Sequence, residues 1–182
     1  MRATRKLIPL SVILLAAAAV SASAQAKTFV SPDGALRATI TPAGPAGRRA
    51  GESLVEMRDA RSGLLLRKSF ASEDGEHGYG VVRAEWTADS RFFIFSLESS
   101  GGHQPWHAPT FVYRRADRRL LAVDDIGGPV SSPRFELREP GLLYTERWVV
   151  AEQAGRRIVV RLNQLSPAAR GGKGAQGIGS KR

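Results

Sequence analysis

The sequence predicts an all-β protein, a compact antiparallel two-sheet domain built from two repeats and a C-terminal hairpin. Three observations carry this. Apolar and polar residues alternate along short runs, the period of a strand with one buried face, while helical spacing is nearly absent. Turn chemistry interrupts the runs at short intervals. The chain also matches itself at an offset of 56 residues.

Alternation is clearest in Ala35–Thr41, where Leu36, Ala38 and Ile40 share one face and Arg37, Thr39 and Thr41 the other. Val82, Ala84 and Trp86 alternate with Arg83 and Glu85, and Phe135 and Leu137 with Arg134, Glu136 and Arg138. Phe92–Leu97 is apolar on both faces, the pattern of a central strand covered on both sides. Trp148–Val150 and Arg157–Leu162 flank Glu152–Gly155 and predict a hairpin over 142–162. The turns fall at Ser31-Pro-Asp-Gly34, Asp59-Ala-Arg-Ser-Gly63, Ala116-Asp-Arg118 and Pro140-Gly141. Pro presets φ, Gly accepts positive φ, and Asp bonds the nearby backbone. Thr41–Arg49, with two prolines and two glycines, is expected to be a surface loop.

The first 26 residues have the three parts of a secretion signal. Arg2, Arg5 and Lys6 precede an apolar run from Leu7 to Val20, and small residues follow, with cleavage frames before Gln25 or Lys27. That run is shorter than the ~20 residues a spanning helix needs. The reading is therefore an exported protein, periplasmic or secreted, with no membrane span after cleavage. Its domain covers 27–165, and Ser166–Arg182 forms a basic, Gly-rich tail too poor in apolar residues to order itself. With no cysteine in the chain, disulfides, thiolate metal sites and a Cys nucleophile are excluded. The net charge of +10 falls to +7 without the three basic residues of the leader, and to +3 without the four of the tail. Basicity is thus mostly a property of the ends, and no nucleic-acid partner is expected.

At the offset of 56, Ser31–Leu36 falls on Thr87–Phe92, matching Asp33 with Asp89. Val55–Ala60 falls on Phe111–Ala116, and Leu64-Leu65 on Leu120-Leu121. The repeat units span about 29–84 and 85–140. Each resembles a blade of the TolB or WD40-like β-propellers, in which a Ser-Pro-Asp-Gly turn leads into a strand and an Asp-x-x-x-Gly turn joins two later ones. The second unit departs from that pattern at Ala88, Ser90 and Arg119. The resemblance covers about 29–124 and implies blade-like sheets. A closed propeller takes four to eight blades, so two units imply a self-contained domain, or copies that associate.

Chemistry-bearing residues gather in Glu98-Ser-Ser-Gly-Gly-His-Gln-Pro-Trp-His107. His103 and His107 with Glu98, and Glu76 or His77 nearby, have the donor types that bind Zn²⁺ or Cu²⁺. Gly and Pro argue against the helix that would align the two histidines. A Ser100/His103/Asp124 arrangement could be assembled, but there is no Gly-x-Ser-x-Gly elbow. Asp124-Asp125 before Gly127-Gly128 has the composition of a solvated turn. The expected function is a non-catalytic module, without cofactor, that binds a protein or small ligand through Trp106, His103 and His107. The alternative is a metal-binding protein or metal-dependent enzyme at His103 and His107.

Overall fold

The computed structural model describes residues 25–43, 51–101, 106–139 and 141–165. The expected tail and the leader up to residue 24 lie outside them, as does His103. The all-β class holds. The described strands form three antiparallel sheets rather than two, because the C-terminal hairpin recruits a further strand.

The first sheet is a meander of β1 (Lys27–Val30), β2 (Leu36–Pro42), β3 (Ser53–Asp59) and β4 (Leu64–Ser69). The second repeats that order with β5 (Tyr79–Trp86), β6 (Phe92–Ser99), β7 (Thr110–Arg114) and β8 (Arg119–Ala122). In the third, β10 (Leu142–Val149) lies between β9 (Glu136–Glu139) and β11 (Ala154–Arg161). A one-turn helix α1 (Asp124–Gly127) follows β8, and a 3-10 turn (Leu162–Gln164) follows β11. Thr41 and Pro42, expected in a loop, extend β2 by pairing with Leu54 and Ser53. Val82 is exposed because a register shift between Val81 and Arg83 leaves it as the extra residue of a bulge.

An offset of 56 carries each strand of the first sheet onto a strand of the second. The correspondence reaches individual hydrogen bonds. Ser31 Oγ accepts from the Leu36 amide (2.9 Å) and donates to Asp33 Oδ1 (2.7 Å), which also accepts from the Ala35 amide (3.0 Å). Thr87 Oγ1 accepts from the Phe92 amide (3.1 Å) and donates to Asp89 Oδ1 (2.6 Å), which accepts from the Arg91 amide (3.1 Å). Gly34 holds φ +70° and Ser90 φ +61°; Ser62 and Arg118, also 56 apart, hold +66° and +57°. Ser90 is thus a non-glycine in the left-handed region. Its hydroxyl compensates by accepting the Asp33 amide at 3.0 Å, so the second turn is tied to the first.

The second sheet contributes to both cores, and its strands divide their residues between them. Phe93, Phe95, Leu97 and Tyr113 join Leu36, Ala38, Ile40, Val55 and Met57 of the first sheet. Phe92, Ile94, Val112 and Leu121 join Leu143 and Val160 of the third sheet, with Phe135 just before β9 and Leu162 and Leu165 beyond β11. The apolar run over β6 is the chemical consequence, since a strand buried on both faces has no position for a charge. A row of aromatic contacts lines the first core, with Phe29, Trp86, Phe95 and Phe111 close to Phe93 or Phe95 at centroid separations of 5.1–5.9 Å. Trp86 Nε1 donates to the Phe29 carbonyl at 3.1 Å and binds the two sheets further.

Candidate functional site

The connections β6–β7, β8–β9 and β10–β11 meet at one end of the second and third sheets, and the candidate site lies there. Val123 donates to the Thr110 carbonyl (2.9 Å) and Ala108 to the Val130 carbonyl (2.8 Å). The segment before β7 and the segment around α1 are thereby clamped together. Gly128, at φ +80°, turns the chain out of α1, and its amide closes onto the Asp124 carbonyl at 3.1 Å.

That clamp brings His107 to Asp124. His107 Nε2 stands 2.7 Å from Asp124 Oδ2, while Asp124 Oδ1 accepts the Val130 amide at 3.1 Å. Both side chains are mostly covered, at 21% and 24% exposure. A neutral imidazole that donates from Nε2 presents Nδ1 as an acceptor, so the carboxylate bears on the tautomer of the ring. Trp106 stacks on Trp148, the penultimate residue of β10, with centroids 5.4 Å apart and planes 29° apart. Trp148 is held in turn by its amide, which donates to the Pro129 carbonyl at 2.8 Å. The His107 ring lies 5.7 Å from the Trp106 ring, tilted 37° to it. All three rings are half-buried. The result is an aromatic and imidazole surface that spans two sheets.

Of the residues expected from sequence, Trp106 and His107 come together here. Glu98 does not join them: it is exposed at the end of β6, and its side chain takes no hydrogen bond or ion pair with another described residue. Ser100, a candidate nucleophile, donates instead to Glu52 Oε1 at 3.0 Å. His77 pairs with Asp74 in its own loop. Asp124 and Asp125 separate, the first turned in to His107 and the second exposed. No group of three or more His, Asp or Glu among the described residues is placed to hold a metal ion.

Sequence reasoning missed two participants. Trp148 appeared only as a strand residue, and its role depends on β10 lying beside the 106–107 segment. Glu52 carried no motif at all, yet it is a buried carboxylate at 1% exposure that joins three segments. It accepts from the Ser72 amide (3.0 Å), the Ser72 hydroxyl (2.6 Å), the Gly78 amide (2.7 Å) and the Ser100 hydroxyl. Burial acts to raise its pKa, but the four donors outweigh burial and hold it below the usual carboxylate range. Gly78 is required beside it, because a Cβ there would lie 2.4 Å from Glu52 Oε1.

No model of a known protein family matches the chain, and no curated protein matches it either. No helix among the described residues is long and apolar enough to cross a membrane.

Proposed function

We propose that the protein is an exported, non-catalytic binding module that recognises a small ligand or a protein segment at its Trp106–Trp148 end. The N-terminal leader supports export to the periplasm or beyond. Blade-like meanders support a scaffold whose loops carry the recognition, as loops on rigid sheets commonly do. The observation that carries the proposal is the stacked Trp106–Trp148 pair beside the His107–Asp124 pair. Trp106 and His107 come from the β6–β7 connection, Asp124 from α1 and Trp148 from the end of β10, and together they join a flat apolar surface to an oriented hydrogen-bonding ring. Tryptophan supplies large contact area with little conformational entropy to lose, the usual composition of a binding centre.

The test is a thermal-shift screen of the cleaved protein against defined sugars, amino acids and short peptides, repeated on W106A, W148A and H107A. A ligand of this site raises the wild-type Tm and loses about tenfold or more in affinity in the tryptophan variants. Ligands that bind all three variants as tightly as wild type would place recognition elsewhere. Equilibrium dialysis with Zn²⁺ and Cu²⁺ addresses the metal alternative, which predicts metal retained by wild type and lost by H107A.

A further inference from the structure

At the end of the molecule opposite Trp106, the turns β5–β6 and β7–β8 and the segment after β11 border an open cavity of about 530 Å³. Its lining is Arg91, Phe92, Arg114, Arg115, Ala116 and Asn163, with no acid among them. A second cavity, of about 210 Å³ along β9–β11, is lined by Glu136 and Glu146 as well as arginines, and so has no single sign of charge.

The three guanidinium groups do different work. Arg114 is committed to structure: Nε and Nη2 donate to Asp117 (2.9 and 2.6 Å), and Nη1 donates to the Leu165 carbonyl. Arg91 gives its Nε–H to Asp89, and Arg115 gives Nη1–H to Asp33. A guanidinium carries five N–H donors. Arg91 therefore keeps both terminal amino groups, and Arg115 keeps most of its donors, without a partner among the described residues. The Arg115 amide donates to the Arg91 carbonyl at 3.0 Å, which holds the two backbones adjacent. Beside these heads, the lining also holds the edge of the buried Phe92 ring, the exposed Ala116 methyl and the apolar arginine stems, and the Arg91 guanidinium lies 5.7 Å from the Phe92 centroid.

Spare donors beside apolar lining match one kind of occupant. We propose that this cavity binds an organic anion, a carboxylate or phosphate head carrying a single apolar body, with Arg91 and Arg115 on the head and Phe92 and Ala116 against the body. Guanidinium groups bind both heads through paired N–H donors. The chain's own tail is a poor occupant, because its side chains add Arg170, Lys173, Lys181 and Arg182 and no acid.

Isothermal titration of the cleaved protein, below micelle concentrations, decides this. Decanoate and decyl phosphate are expected to bind one per chain, and decyltrimethylammonium at least about tenfold more weakly. R91A, which removes an exposed side chain, and A116L, which adds bulk to the pocket lining, should each weaken decanoate about tenfold. W148A, at the other end, should bind decanoate as wild type does, which separates this site from the tryptophan site. Circular dichroism melts establish that the variants fold. The idea is overturned if the decyl cation binds as tightly as the anions, if inorganic phosphate matches decyl phosphate, or if folded A116L retains full affinity.

Discussion

Glu52 shows how far a single residue can depend on surroundings that its neighbours in sequence do not announce. An isolated buried carboxylate would be costly, but four donors from Ser72, Gly78 and Ser100 make this one a tie between the segments before β3, before β5 and after β6. Its pKa is lowered in the fold. The stability it contributes is therefore fully present above the ordinary carboxylate range of about 4.3 and is lost as pH falls through the lower folded value. The E52Q protein should be about 1–3 kcal/mol less stable at pH 7, since an amide NH₂ then faces donors. Urea titrations between pH 7 and pH 3 should also show a shallower loss of stability than wild type. An equal slope in both proteins would remove the linkage from Glu52.

At the scale of elements, the two Asp-bearing turns show what the repeat preserves and where it diverges. Asp33 and Asp89 organise their turns identically, and Ser31 and Thr87 are interchangeable because each needs only a hydroxyl. Where Gly34 costs nothing at φ +70°, Ser90 carries left-handed strain of order 1 kcal/mol and regains a comparable amount by accepting the Asp33 amide. S90G, which removes strain and bond together, should be nearly neutral. S90A, which keeps the strain and loses the bond, should be less stable by about 1 kcal/mol. Chemical denaturation of the pair measures the difference; S90A as stable as S90G would mean that the turn-to-turn bond contributes nothing.

Across the whole molecule, the second sheet is shared by two cores, so adjacent residues of β6 report on different halves. Phe95 packs toward the first sheet and Ile94 toward the third, both fully buried. F95A should cost about 3–5 kcal/mol and I94A about 2–5 kcal/mol. Because both cores rest on one sheet, each variant should melt in a single lowered transition. Calorimetry resolving two transitions in either variant would show that the cores unfold independently.

The sequence by itself determined the β class, the turns, the 56-residue register and the doubly covered run within β6. Those features are local, written in a two-residue alternation and in turn residues whose side chains bond their own backbone. Part of the candidate site was also legible, since Trp106 and His107 stand out by type within one segment. Their partners Asp124 and Trp148, the third sheet, the Glu52 tie and the arginine-lined cavity were decided by tertiary structure. The third sheet adds the neighbouring strand β9 to the hairpin, while the others depend on residues far apart in sequence meeting across a sheet or at its end, and neither alternation nor turn chemistry encodes which connections will meet.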